Sequence, residues 1–266
     1  MLEILNPHLM RGRIRHALFD FDGTLSLIRE GWQGVMIPMM VELLQATPAA
    51  EDEVTVEAVV KEYVARLTGK QTIYQMIQLA EEISQRGGVS LDPLEYKYMY
   101  LARLNERIAG RIEGLKSGRI DPETLMVPGS REILQALRAR NVRCYLASGT
   151  DEPFVLDEAA ALGLAPCFDG IYGAKDDYKT FSKRMVIDRI VAEHGLAGPE
   201  FVAFGDGYVE IEDTKRAGGI AVGLATDEAQ RAGVDEWKRN RLIEAGADII
   251  IPDFCQHEQL VAYLWG

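Results

Sequence analysis

The stretch His16-Ala17-Leu18-Phe19-Asp20-Phe21-Asp22-Gly23-Thr24-Leu25-Ser26 runs an apolar segment into two carboxylates, a glycine and two hydroxyl residues. Ile14 to Phe19 reads as a buried strand. Residues two apart on a strand point to the same side, so Asp20 and Asp22 address one spot where the strand leaves the sheet. Two carboxylates aimed at one spot repel unless a cation lies between them or one takes a proton. That suits a hard metal ion with a nucleophile and a general acid beside it. Asp-Gly is also a common turn dipeptide, so the rest of the chain decides between the two readings.

Outward from this stretch the hydrophobic period changes twice. From Glu30 to about Lys116 it is helical, with Val35, Met36, Met39, Met40, Leu43 and Leu44 forming one stripe that stops before Pro48. Further helices are expected over 54–67, 72–86 and 93–115, the first two broken by Thr68-Gly69 and Gly87-Gly88. Beyond Gly118 short apolar runs at 142–147, 171–173, 201–204, 220–224 and 248–251 alternate with helical patterns. Such alternation predicts a parallel sheet flanked by helices. The expected organisation is an α/β core over 1–28 and 118–266, with a four-helix insertion over 29–117 acting as a cap. Its hinges would be the stretches 26–29 and 117–127.

Length and charge bound the function. A chain of 266 residues, 47% of them apolar, can bury a full core. A net charge of −12 disfavours general binding to nucleic acid or to an anionic membrane. No window is long and apolar enough to span a bilayer, and no signal segment is evident near the first residue. Cys144, Cys167 and Cys255 are far apart and not in metal-ligand spacing, which suggests buried thiols in a reducing compartment and a cytoplasmic protein.

Ligands of an open parallel sheet gather at the carboxyl ends of its strands. Four polar clusters fall there: Asp20 and Asp22; Ser148 and Thr150; Lys183, which opens a helix; and Asp206, with Glu210 and Asp213 beyond it. Together they suit phosphoryl transfer, in which a Mg²⁺ ion, a fixed lysine charge and hydroxyl or backbone donors neutralise the phosphate. The four histidines are scattered and no serine lies in a nucleophile-elbow pattern, so a His- or Ser-based mechanism has no support.

At these residues the chain resembles the haloacid dehalogenase superfamily of phosphatases. Asp20-Phe21-Asp22-Gly23-Thr24, Ser148 after a strand, Lys183, and Gly205-Asp206-Gly207 followed by acids match its four motifs in order. The helical insertion is similar to the superfamily's C1 cap, as in the phosphoglycolate phosphatase and β-phosphoglucomutase branch. The resemblance implies a Rossmann-like core, with Asp20 as nucleophile and Asp22 as general acid and then base. It implies Mg²⁺ held by Asp20, the Asp22 carbonyl and Asp206, and phosphoryl oxygens bound by Ser148, Gly149 and Lys183. The second acid, Asp22, favours C–O–P over C–halogen chemistry.

Two positions stay open at this level. The usual fourth motif places Asp where this chain has Glu210, one methylene longer, and Asp213 competes for the same role. Lys175, Lys179 and Lys183 are spaced by four, and Lys183 best matches the motif. Lys70 and Gln71, between two cap helices, and Arg29, just past the nucleophile, are candidates for substrate specificity. The expected activity is hydrolysis of a small phosphorylated metabolite, a sugar phosphate or phospho-acid, by a monomer or homodimer. A phosphomutase of the same fold and a non-catalytic binding module are the alternatives.

Overall fold

The computed structural model describes residues 2–266. The chain divides into two compact units, one of Met1–Glu30 with Arg111–Gly266, the other of Gly31–Gly110. The first unit begins with β1 (Glu3–Ile4) and β2 (His16–Phe19). The second holds α1 (Gln33–Gln45), α2 (Glu53–Leu67), α3 (Thr72–Gln85) and most of α4 (Pro93–Lys116). The chain continues through α5 (Ser130–Arg138), β3 (Arg143–Asp151), α6 (Glu152–Ala161), β4 (Gly170–Ala174) and α7 (Lys183–His194). It ends with β5 (Phe201–Gly205), α8 (Tyr208–Arg216), β6 (Ile220–Leu224), α9 (Glu236–Glu244), β7 (Ile249–Ile251) and α10 (His257–Trp265).

The described strands form one seven-stranded sheet in the order β1-β7-β6-β5-β2-β3-β4. All pairings are parallel except β1 against β7 at one edge, a two-residue strand too short to show in the hydrophobic pattern. That order places β2 inside the sheet between β5 and β3, and it is fully buried. The chain passes from β2 to β3 on one side and later returns to β5 on the other. Strand order reverses there, and a crevice opens at the carboxyl ends of such strands.

Both faces of β2 are covered, because successive side chains alternate. Leu18 joins Tyr145, Phe181, Val186, Ile187, Ile190, Phe201 and Ala203 under α7 on one face. Phe19 points to the other face, stacks on Phe204 with ring centroids 4.6 Å apart, and meets Phe254. These fully buried rings each contribute on the order of 2 kcal/mol of transfer free energy. They form a rigid floor directly beneath Asp20, whose N–H still reaches the Phe204 carbonyl at 2.9 Å.

Two expectations, on Ser148–Thr150 and on the cysteines, need correction. The exit at Ser148-Gly149-Thr150 is not the end of a strand. β3 continues to Asp151 through a register shift after Ala147, because Asp151 pairs again with Ala174 on β4. Cys144 is buried, but Cys167 is partly exposed and Cys255 is exposed. Arg29, Glu30 and residues 111–117, expected in the insertion, fall within the first unit. Arg111 ties the two crossings together there, donating to the carbonyls of Ile28 at 2.7 Å and Glu30 at 3.0 Å.

At the amino end of β2 the imidazole of His16 is buried, and its ring stacks on His194 at 4.4 Å between centroids. Among the described residues neither of its ring nitrogens has a hydrogen-bond partner. Burial, reinforced by the nearby charges of His194, Arg143 and Arg15 and opposed by Asp169, holds it down to about 4. The unfolded chain therefore takes up a proton between pH 6.5 and 4 that the folded chain refuses. Stability falls as pH drops through that window. Replacing His16 with phenylalanine should flatten the fall: melting curves from pH 7 to 4.5 should separate the two proteins progressively, with the variant the more stable at the acid end.

Candidate active site

Asp20 leaves the end of β2 between its two neighbours. Its Oδ1 lies 2.8 Å from the Lys183 ammonium. Lys183 is the first residue of α7, which starts where it does because the Ser182 hydroxyl caps it, accepting from the Met185 N–H at 3.1 Å. The same ammonium donates to Glu210 Oε2 at 3.0 Å. Lys183 therefore bridges two carboxylates that would otherwise repel. Lys175 and Lys179, its rivals in spacing, are exposed.

Glu210 has two jobs. It sits at the third position of α8, and its Oε1 accepts the Gly207 N–H at 2.7 Å, satisfying a free donor at the helix start. Its other oxygen faces Lys183 and Asp20. The extra methylene of glutamate fits because Gly205 has no side chain; a Cβ there would collide with Glu210 Cγ. Asp213, one turn on, is instead paired with Arg216 at 2.8 Å.

Asp22 has a different set of partners. Its Oδ2 accepts from Thr150 Oγ1 at 2.9 Å and Ser148 Oγ at 3.2 Å, and Ser148 Oγ in turn accepts the Thr150 N–H at 3.0 Å. Among the described residues its Oδ1 accepts no hydrogen bond. The Arg29 guanidinium lies 3.9 Å from that oxygen. Arg29 is buried and in a two-point pair with Glu158 on α6, at 2.6 and 3.0 Å. Burial raises the Glu158 carboxyl to about 7 against the opposing pull of Arg29. Gly149 lies between the two hydroxyl residues in β3. Lys70 and Gln71 belong to the other unit, in the turn before α3, where the Lys70 ammonium lies 5.9 Å from the centre of the Tyr74 ring.

Asp206, just past β5, approaches the Asp20–Asp22 turn through Gly23. Gly23 has φ +75°, and a Cβ there would run into Asp206 Oδ2. Asp206 Oδ2 also receives the Lys238 ammonium at 2.7 Å, and that lysine is shared with Glu228. Composition and spacing do not pick out Glu228 and Lys238, because they lie in a loop and helix with no motif around them. Glu158 was equally silent as one acid on an amphipathic helix, whereas Thr150 was visible beside Ser148.

One oxygen each from Asp20, Asp206 and Glu210 can be chosen within 4.8 Å of one another. Mg²⁺ takes hard oxygen donors, carboxylates among them, so the chemistry of this donor set suits such an ion. Burial pushes the carboxyls of Asp20 and Glu210 up, with Lys183 opposing in both cases. Burial alone would lower the Lys183 ammonium, yet its ion pairs with Asp20 and Glu210 hold it above the usual lysine range. The cluster is short of positive charge, and a divalent cation would favour the ionised acids.

The family model for haloacid dehalogenase-like hydrolases matches residues 14–218, more than half of the chain. The chain belongs to this family. Three solved structures show the same fold as this haloacid dehalogenase-like hydrolase. A predicted phosphoglycolate phosphatase from Haemophilus somnus 129pt is 15% identical with a TM-score of 0.61, covering 93% of this chain and 98% of its own. CbbY from Rhodobacter sphaeroides, in complex with phosphate, is 18% identical with a TM-score of 0.58, covering 94% and 99%. A phosphonoacetaldehyde hydrolase-like protein from Oleispira antarctica is 13% identical with a TM-score of 0.62, covering 98% and 96%. At such identities the likeness is one of fold. No curated protein matches the sequence. Among the described residues of this hydrolase no helix is long and apolar enough to cross a membrane.

Proposed function

We propose that this hydrolase is a Mg²⁺-dependent phosphatase that cleaves a small phosphorylated metabolite through an aspartyl-phosphate on Asp20. The observation that carries the reading is the separation of partners. Asp20 sits on Lys183 within reach of Asp206 and Glu210, while Asp22 accepts from two hydroxyls on one oxygen and, among the described residues, accepts no hydrogen bond on the other, which faces Arg29 at 3.9 Å. Two carboxylates in one crevice with different surroundings suit two different tasks.

In the first step an Asp20 oxygen attacks phosphorus, and the bond from phosphorus to the alcohol oxygen breaks. Asp22 gives its proton to the departing alkoxide. In the second step Asp22 takes a proton from water, water oxygen bonds to phosphorus, and the Asp20–phosphorus bond breaks to release phosphate. Asp20, Asp206 and Glu210, with the Asp22 carbonyl, would hold Mg²⁺, which supplies charge neutralisation to the phosphoryl oxygens. Ser148, Gly149 and Lys183 would bind those oxygens. The second unit, as a cap carrying Lys70 and Gln71, would choose among sugar phosphates and phospho-acids, with Arg29 at the margin.

The test is release of inorganic phosphate from an aryl phosphate and from a panel of sugar phosphates and phospho-acids, with Mg²⁺ and with chelator. Release that needs Mg²⁺ is the expected result. Asp22→Asn should lower kcat/KM, which reports formation of the aspartyl-phosphate, by roughly 10²–10⁴-fold for alkyl phosphates and much less for aryl phosphates, since a good leaving group needs no proton. No release from any substrate, or an equal loss for both leaving groups, would overturn the reading.

A further inference from the structure

Glu228 and Lys238 lie beyond the residues that the family model matches, yet they meet the site at Asp206. The loop that carries them is closed at its base, where Thr226 bridges Val234 and the Asp235 N–H reaches the Ala225 carbonyl at 2.8 Å. It is anchored away from the site by Arg231, which donates to the Glu123 carbonyl at 2.6 Å. The Asp235 side chain then starts α9 by accepting the N–H groups of Trp237 and Lys238 at 2.9 and 3.0 Å. Lys238 therefore enters from the first turn of a capped helix and Glu228 from the facing limb of a fixed loop. Glu228 also closes on the nucleophile turn: a Cβ on Gly23 would come within 2.9 Å of its Oε1.

The Lys238 ammonium and a divalent cation at Asp20, Asp206 and Glu210 draw on the same Asp206 carboxylate. A cation held there and the Lys238 ammonium would repel each other, and charge interactions are strong in largely buried space. We propose that Lys238, tethered by Glu228, is a built-in competitor for the divalent cation at Asp206 and keeps the metal affinity of the site low. This inference rests on the Mg²⁺ reading of the site.

Calorimetric titration of the metal-free, folded protein with Mg²⁺ tests it without any turnover. Lys238→Met should tighten Mg²⁺ binding by about tenfold or more. Glu228→Gln should loosen it, because Lys238 is then left to Asp206 alone and the site loses a negative charge. Lys238→Arg, which keeps the charge, should stay near wild type. A merely structural defect would weaken binding in the Lys238→Met and Glu228→Gln proteins alike, so the opposite signs are diagnostic. If the wild type binds Mg²⁺ and Lys238→Met binds it no more tightly, the inference fails alone. If Lys238→Met does not fold, unchanged or tighter binding by Glu228→Gln overturns it. If no variant binds Mg²⁺, the metal reading fails and takes the inference with it.

Discussion

Asp20→Asn should abolish phosphate release, by on the order of 10⁴-fold or more, and should leave the fold as stable as the wild type or more so. The amide keeps the shape of the side chain but removes the attacking oxygen's charge, and loss of a nucleophile is among the largest single-residue effects in catalysis. Stability goes the other way for an electrostatic reason. Asp20 is a buried carboxylate in a group with Glu210 and Asp206, and its carboxyl is raised by burial. A carboxyl raised on folding favours the folded state below its unfolded value, and that contribution is lost as pH rises through the folded value. At neutral pH, above its ordinary value, burying this carboxyl is therefore a cost. Its removal still leaves Lys183 paired with Glu210 at 3.0 Å, so no buried charge is orphaned. A melting temperature at pH 7.5 equal to or above wild type, with phosphate release at background, is the expected pair of results. Full activity in the variant would end the aspartyl-phosphate mechanism.

Lys183→Met should be the opposite case, damaging both stability and activity. Lys183 is buried and is the ammonium shared by Asp20 and Glu210. Methionine keeps most of its volume and strands two carboxylates next to each other. Removing one member of a buried ion pair typically costs about 3–5 kcal/mol, which for a chain of this size lowers the melting temperature by roughly 10 °C. The stranded carboxyls should then be pushed further up, so raising the pH from 6 to 8 should destabilise the variant more than the wild type. Thermal melts at the two pH values measure this. A variant that melts within about 1 °C of wild type would show that the ammonium is not the main counter-charge of the cluster.

Much of this is legible in the amino-acid sequence. The run into Asp20 and Asp22 placed two acids at the end of a buried strand, and β2 is that strand, fully buried inside the sheet between β5 and β3. The four insertion helices were readable because each keeps an apolar stripe and ends at a glycine, a proline or a change of period. Lys183, Asp206 and Glu210 stand out in the sequence because each follows a strand or lies in the first turn of a helix, whereas Ser148, expected just past a strand, lies inside β3. The two-residue strand β1 was not, since two residues show no periodicity. The continuation of β3 past Ser148 was not either, because a register shift depends on the partner strand.

The choice among residues of one type needed the tertiary structure. Spacing left Lys175, Lys179 and Lys183 in competition, and Glu210 with Asp213. The start of α7 brings only Lys183 to Asp20, and the first turn of α8 turns Glu210 inward while Asp213 pairs with Arg216. The partners Glu158, Glu228 and Lys238 are lone charged residues with no local pattern, and they meet Arg29 and Asp206 only because segments far apart in the chain converge. Periodicity and strand-end position are local properties and survive in the sequence. Which charge answers which is a property of distances across the sheet, and folding alone sets those.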